Sequence, residues 1–188
     1  MVVKTELNVF SRHMGERFFR LPMLLQTVHT GKRRLQGYVT VSQGNFLARL
    51  ICRMFKFPPS SNHTRLTVDC YHGLDHMEWV RCFDGHVMRS TFHAHNEFLV
   101  ERLGLLSLYF KTDNTEDGLR YHFTKTKFLG VPLPKRLSPI IEASEFQRAD
   151  RYFFDVRVCM WLVGTVLQYG GEMDVLEVKE REGIAVQL

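Results

Sequence analysis

The sequence predicts an α+β fold, a strongly curved antiparallel β-sheet or lipocalin-like barrel with helices at its N-terminus, from three observations. From residue 65 onward, apolar and polar residues alternate in runs bounded by turn residues, the pattern of half-buried strands. Before residue 60, apolar residues recur at three- and four-residue spacing, the pattern of helices. The links between the strand-like runs are mostly shorter than the roughly dozen residues a parallel crossover needs, so the strands must run as an antiparallel meander.

In chain order, Phe10, Met14, Arg17, Phe18, Leu21, Leu24 and Leu25 fall at helical intervals, and Pro22 interrupts them. A short helix and then an irregular piece to Thr30 are expected. Gly31-Lys32-Arg33-Arg34 reads as a turn and residues 35–41 as a first strand. Ser42 is placed to cap a helix starting near Gln43, with Phe46, Leu47, Leu50, Ile51, Met54 and Phe55 as its buried stripe. Arg49, Arg53 and Lys56 fall mostly on its other side, and Pro58-Pro59 ends it.

Strands are expected at 65–72, 76–83, 86–99, 105–111, 119–128, 152–162 and 165–171, with turns at Asp84-Gly85, Asp117-Gly118 and Gly164. Pro132, Pro134 and Pro139 stiffen one connection, and a short helical piece is expected over residues 139–146. Residues 1–188 read as a single domain, with a basic helical and first-strand region over 1–60 and an antiparallel meander over 65–171. A curved sheet of this kind can enclose a small ligand.

The formal charge of +5 is unevenly spread. Residues 1–60 carry ten Lys or Arg against Glu6 and Glu16, 10 − 2 = +8, and the remainder carries 15 − 18 = −3. The basic third is either a set of solvated faces or an attachment to an anionic surface or nucleic acid. Its aromatics sit at core-like spacing rather than as a stacking platform, which makes nucleic acid unlikely. Cys52, Cys70, Cys82 and Cys159 are widely separated, as expected of reduced thiols in a cytoplasmic protein. No apolar run reaches the ~20 residues of a membrane span, and the first residues lack a signal-peptide core.

A two-residue turn at Asp84-Gly85 pairs Phe83 with His86, Arg81 with Met88, Trp79 with Ser90 and Met77 with Phe92. A three-residue turn at 73–75 would set Asp69 opposite Trp79. One face then carries Tyr71, Met77, Trp79, Phe83, Met88 and Phe92 around Asp69, Arg81 and Ser90, an apolar wall with a few convergent polar groups. A buried arginine needs an anion. That anion is either Asp69, in a pair that only fixes the core, or the acidic group of a ligand. Tyr169 is either part of the cavity wall or ordinary core.

The other face would align His72, His76 and His93, with His95 beyond. Three imidazoles can hold zinc, but the row depends on register and the expectation is no metal. Cys82 and Ser90 are the available nucleophiles and Glu78, Glu97 and Glu101 the nearby acids. No spacing among them demands catalysis.

The order of motifs resembles the bacterial family catalogued as domain of unknown function 4166, over roughly Phe18 to Met173. The resemblance is carried by Gly37-Tyr38-Val39-Thr40-Val41-Ser42-Gln43-Gly44, by Trp79-Val80-Arg81-Cys82-Phe83 and by Leu129-Gly130-Val131-Pro132-Leu133-Pro134 with Leu137 and Pro139. Phe154-Asp155-Val156, Gly164 and Tyr169-Gly170-Gly171 complete it. The resemblance implies no established activity. Similar sequences are sometimes fused behind a saccharopine-dehydrogenase-like nucleotide-binding domain. This chain has no Gly-x-Gly-x-x-Gly motif, so a nucleotide-binding partner would be a separate protein.

The leading functional expectation is a domain that binds a small, largely apolar or amphipathic ligand with an acidic group, using Asp69, Trp79, Arg81, Ser90, Phe92 and Tyr169. The alternatives are an enzyme acting on such a ligand, or a basic N-terminal region that binds an anionic surface or nucleic acid. No cofactor is specified, and a homo-oligomer is compatible with the sequence.

Overall fold

The computed structural model describes residues 7–178. Ten antiparallel strands close into a barrel: β1 (Gly31–Gln43), β2 (Ser61–His72), β3 (Met77–Phe83), β4 (His86–His95), β5 (Phe98–Leu103), β6 (Leu106–Asn114), β7 (Gly118–Phe128), β9 (Ile140–Arg148), β10 (Arg151–Met160) and β11 (Gly164–Glu177). Each pairs with its neighbour in this order, and β11 returns to β1. The two-residue β8 (Val131–Pro132) only extends β7. The α+β class and the lipocalin-like barrel expected from the sequence are what the chain adopts.

Closure needs coiling, and Gly37 and Gly171 supply it. A Cβ on Gly37 would lie 2.2 Å from the Glu172 carbonyl oxygen, and one on Gly171 would lie 2.8 Å from that of Tyr38. Only glycine lets β1 and β11 approach so closely.

The strands alternate as half-buried strands should. In β3, Met77, Trp79, Arg81 and Phe83 are buried and the residues between them are partly exposed. Outward positions on β1 are polar at Lys32, Arg34, Gln36, Thr40 and Ser42. The tight turn at Asp84-Gly85 has positive φ at both residues, 47° and 89°, as a right-twisted hairpin requires.

The helices close one end of the barrel and flank the other. Asn8 caps α1 (Val9–Met14), which packs on β4 and β5; a 3₁₀ turn at Gly15–Arg20 and α2 (Met23–Val28) follow, the latter against β9 and β10. These pieces plug the barrel end where β1 begins. Helix α3 (Phe46–Met54) lies at the opposite end, held by Asn45, whose side chain caps it and donates to the Val163 carbonyl.

Four expectations are corrected. Residues 86–99 are two strands, because Asn96 at φ 53° turns the chain into β5. Residues 139–146 are not helical but begin β9, where Ile141 and Glu145 alternate inward. The helix cap is Asn45, not Ser42, which still lies in β1. Finally, α3 buries only Ala48 and Cys52 fully; most of its expected core stripe faces outward, with Phe46 83% exposed.

Candidate functional site

A cavity of about 180 Å³ opens inside the barrel, below α3. Trp79, Arg81, Met88 and Phe92 from β3 and β4 line one wall, and Val156, Val158, Leu167 and Tyr169 from β10 and β11 line the other. Ile51, Phe55, Leu133, Leu137 and Pro139 surround its mouth. A second space of about 50 Å³ lies against the same Trp79, Arg81, Tyr121, Glu145 and Tyr169. An apolar cavity of about 150 Å³ already admits a benzene ring, so the interior has room for a small organic molecule.

The β3–β4 register is the expected one: Trp79 opposes Ser90, Arg81 opposes Met88 and Met77 opposes Phe92. Arg81 therefore points inward. Its Nη1 donates to Ser90 Oγ at 2.7 Å, and its Nη2 donates to Glu101 Oε1 at 3.3 Å. The guanidinium also sits 5.1 Å from the Trp79 ring centre. Burial alone would depress the Arg81 pKa, but the surrounding groups, Tyr169 and Glu101 foremost, raise it and keep the guanidinium charged. Near neutral pH the working counter-charge is Glu101, because burial pushes the Tyr169 phenol up and leaves it neutral.

Asp69 is not part of this cavity. The β2–β3 loop has four residues, so His72 pairs with Met77 and Asp69 pairs with Val80. That one-residue shift sends Asp69 to the outer surface, where both its oxygens accept from Arg34, at 2.6 and 3.0 Å. Tyr71 moves out with it, and Val68, Cys70 and His72 turn in. The Arg34–Asp69 pair is about half exposed. Changing Asp69 to Asn is expected to alter stability by no more than about 1 kcal/mol and to leave cavity binding unchanged, as urea unfolding and ligand titration would show.

The same shift dissolves the histidine row. His72 is buried and neutral, its pKa lowered to about 3 by burial and the neighbouring His29. It accepts from Trp79 Nε1 at 3.4 Å through Nε2, so Nδ1 carries the proton and donates to the Gly31 carbonyl at 3.2 Å. His93 lies across from Val100 on the outer side, and His76 stays in the loop. Among the described residues no group of three or more His, Cys, Asp or Glu side chains is gathered as a metal site.

Trp79, Arg81, Phe92 and Tyr169 thus meet on the cavity wall, while Ser90 is buried behind Arg81 and positions it. Two acids were not assigned to the interior by the sequence. Glu101 enters on β5 opposite Phe92. Glu145, on β9, accepts from Tyr121 at 2.7 Å and lies 2.7 Å from His29 Nε2, and the nearby Tyr152 phenol also favours its charged form. Burial pushes the Glu145 carboxyl up, but His29 and these bonds more than offset it and hold it below the usual range. His29 is fully buried, stacked 3.8 Å from Phe10, so the helical plug carries this polar group into the barrel floor. With so many partners Glu145 is a fixed negative charge rather than a free base.

The fold and site define a closed antiparallel barrel with an apolar chamber and an arginine–glutamate pair on its wall. The chain belongs to the family described as Domain of unknown function (DUF4166), whose profile matches residues 21–173. No curated protein and no solved structure matches it.

Proposed function

We propose that this chain binds a small, largely apolar molecule with an acidic group inside the barrel. The observation that carries the reading is the mostly apolar cavity with a charged Arg81 on its wall. Trp79, Phe92 and Tyr169 give the ligand apolar surface, and Arg81 holds its polar end with Ser90 keeping the guanidinium in place.

Glu101 already neutralises Arg81 through one long contact. An acidic ligand therefore displaces that carboxylate or enters protonated, which costs part of the binding energy. Glu101→Gln is expected to tighten binding of octanoate and to leave octan-1-ol unaffected, measured by isothermal titration. Equal affinity for acid and alcohol in both proteins would remove the acidic group from the proposal. Mass spectrometry of molecules retained by the purified protein tests the ligand class without presupposing it.

An enzyme acting on the same ligand is the second reading, favoured by the Glu101 carboxylate on the cavity that holds Arg81. It requires turnover of the retained compound that Glu101→Gln abolishes without loss of binding.

A further inference from the structure

Exposed apolar residues gather at the mouth end of the barrel. On α3, Phe46, Leu47, Leu50 and Met54 face solvent, and at the β10–β11 turn Trp161 and Leu162 are 66% and 72% exposed. Three contacts tie these pieces into one rim. Asn45 Nδ2 donates to the Val163 carbonyl at 3.0 Å, His86 Nε2 lies 2.6 Å from the Lys56 carbonyl, and the Arg136 guanidinium sits 5.6 Å from the Trp161 ring centre. Ile51 and Phe55 of the same helical segment line the cavity mouth, so the exposed apolar arc runs into the chamber.

The rim is also basic. Its connecting segments, residues 44–60, 84–85, 104–105, 129–139 and 161–163, carry Arg49, Arg53, Lys56, Lys135 and Arg136 against one acid, Asp84. On α3 the exposed Arg49 and Arg53 lie together along one edge of the apolar arc, where basic side chains of an interfacial helix can reach anionic headgroups. Trp161 beside Arg136 has the amphipathic make-up of interfacial anchors. The outward face of β1 carries Lys32, Arg34, Gln36, Thr40 and Ser42 with one exposed aromatic, Tyr38, so the exposed apolar side chains gather at the rim rather than along this strand. A second copy fits poorly, because it would bring the same excess of positive charge to the contact.

We propose that the mouth end docks on an anionic phospholipid surface, with α3 and the Trp161-Leu162 turn inserted among the headgroups and the cavity opening toward the lipid. The docking does not rest on the cavity having a ligand; vesicle binding and cavity binding are measured separately, and either can fail alone.

The test uses the full chain with vesicles of phosphatidylcholine, alone or mixed with phosphatidylglycerol. Co-sedimentation is expected on the anionic vesicles, to weaken with salt, and to be much lower on phosphatidylcholine alone. Arg49→Gln and Arg53→Gln should each weaken it roughly fivefold. Leu50→Glu should abolish it while circular dichroism stays unchanged, since Leu50 is exposed. Trp161 emission should shift to the blue on binding, and Trp161→Phe, which leaves only the buried Trp79, should lose that shift. Failure to bind the anionic vesicles, equal binding to both compositions, or binding untouched by Leu50→Glu overturns the proposal. A concentration-dependent dimer in ultracentrifugation that Leu50→Glu dissolves also overturns it and gives the face to a second copy.

Discussion

Replacing Arg81 with Met lowers stability by about 3–5 kcal/mol in this account, because it strands Glu101 as an unpaired charge inside the barrel. Both partners are close to fully buried, with side chains 10% and 14% exposed, so solvent offers the carboxylate little relief. Ser90 loses its partner as well. The double change Arg81→Met with Glu101→Gln should recover most of the loss, since it removes the charge that the single change leaves behind. Chemical unfolding of the wild type, both single variants and the double variant measures the coupling. Additive losses would mean that Glu101 is not the counter-charge of Arg81.

Glu145→Leu is the second large effect. It removes the acceptor shared by Tyr121 and His29, and each buried donor left without a partner costs about 1–3 kcal/mol. A loss above about 3 kcal/mol is expected near neutral pH. Acid reveals the same interaction. The Glu145 pKa is lower in the fold than its ordinary 4.5, so its contribution is complete above about pH 4.5 and is lost as pH falls through the folded value. His72 acts in a higher window. It binds its proton in the unfolded chain near 6.5 but in the fold only at about 3, so stability falls between these limits by about 1.4 kcal/mol for each pH unit. The Glu145→Leu protein should retain the slope just below pH 6.5 and lose the added one below pH 4.5. An unchanged acid limb would show that Glu145 is not held ionised by its neighbours.

The sequence made the β3–β4 hairpin legible residue by residue, because Asp84-Gly85 admits only a tight two-residue turn and so fixes the register. The neighbouring loop carried no such signal. Taken as three residues, it set Asp69 beside Arg81; closed by the Gly73 amide on the His76 carbonyl, it has four, and the parity of β2 reverses. The inward Arg81 was therefore legible and its partner was not. Glu101 became readable only through the turn at Asn96-Glu97, where an asparagine adopts positive φ inside what looked like one long strand.

His29 and Glu145 meet across 116 residues, a contact that no local pattern encodes. The apolar stripe of α3 was also visible, but periodicity gives the width of an apolar face and not what covers it. Here the barrel covers only part of it, and the remainder forms the rim of the mouth.

Whether Arg81 receives the acidic end of an apolar molecule in the barrel, as proposed, is decided by a titration with octanoate. Wild type is compared with the Arg81→Met, Glu101→Gln double variant, which removes both members of the ion pair on the cavity wall together. Binding by the wild type, loss of octanoate affinity in the double variant and retained binding of octan-1-ol in both are expected. Octanoate bound as tightly by the double variant as by the wild type would contradict the proposal.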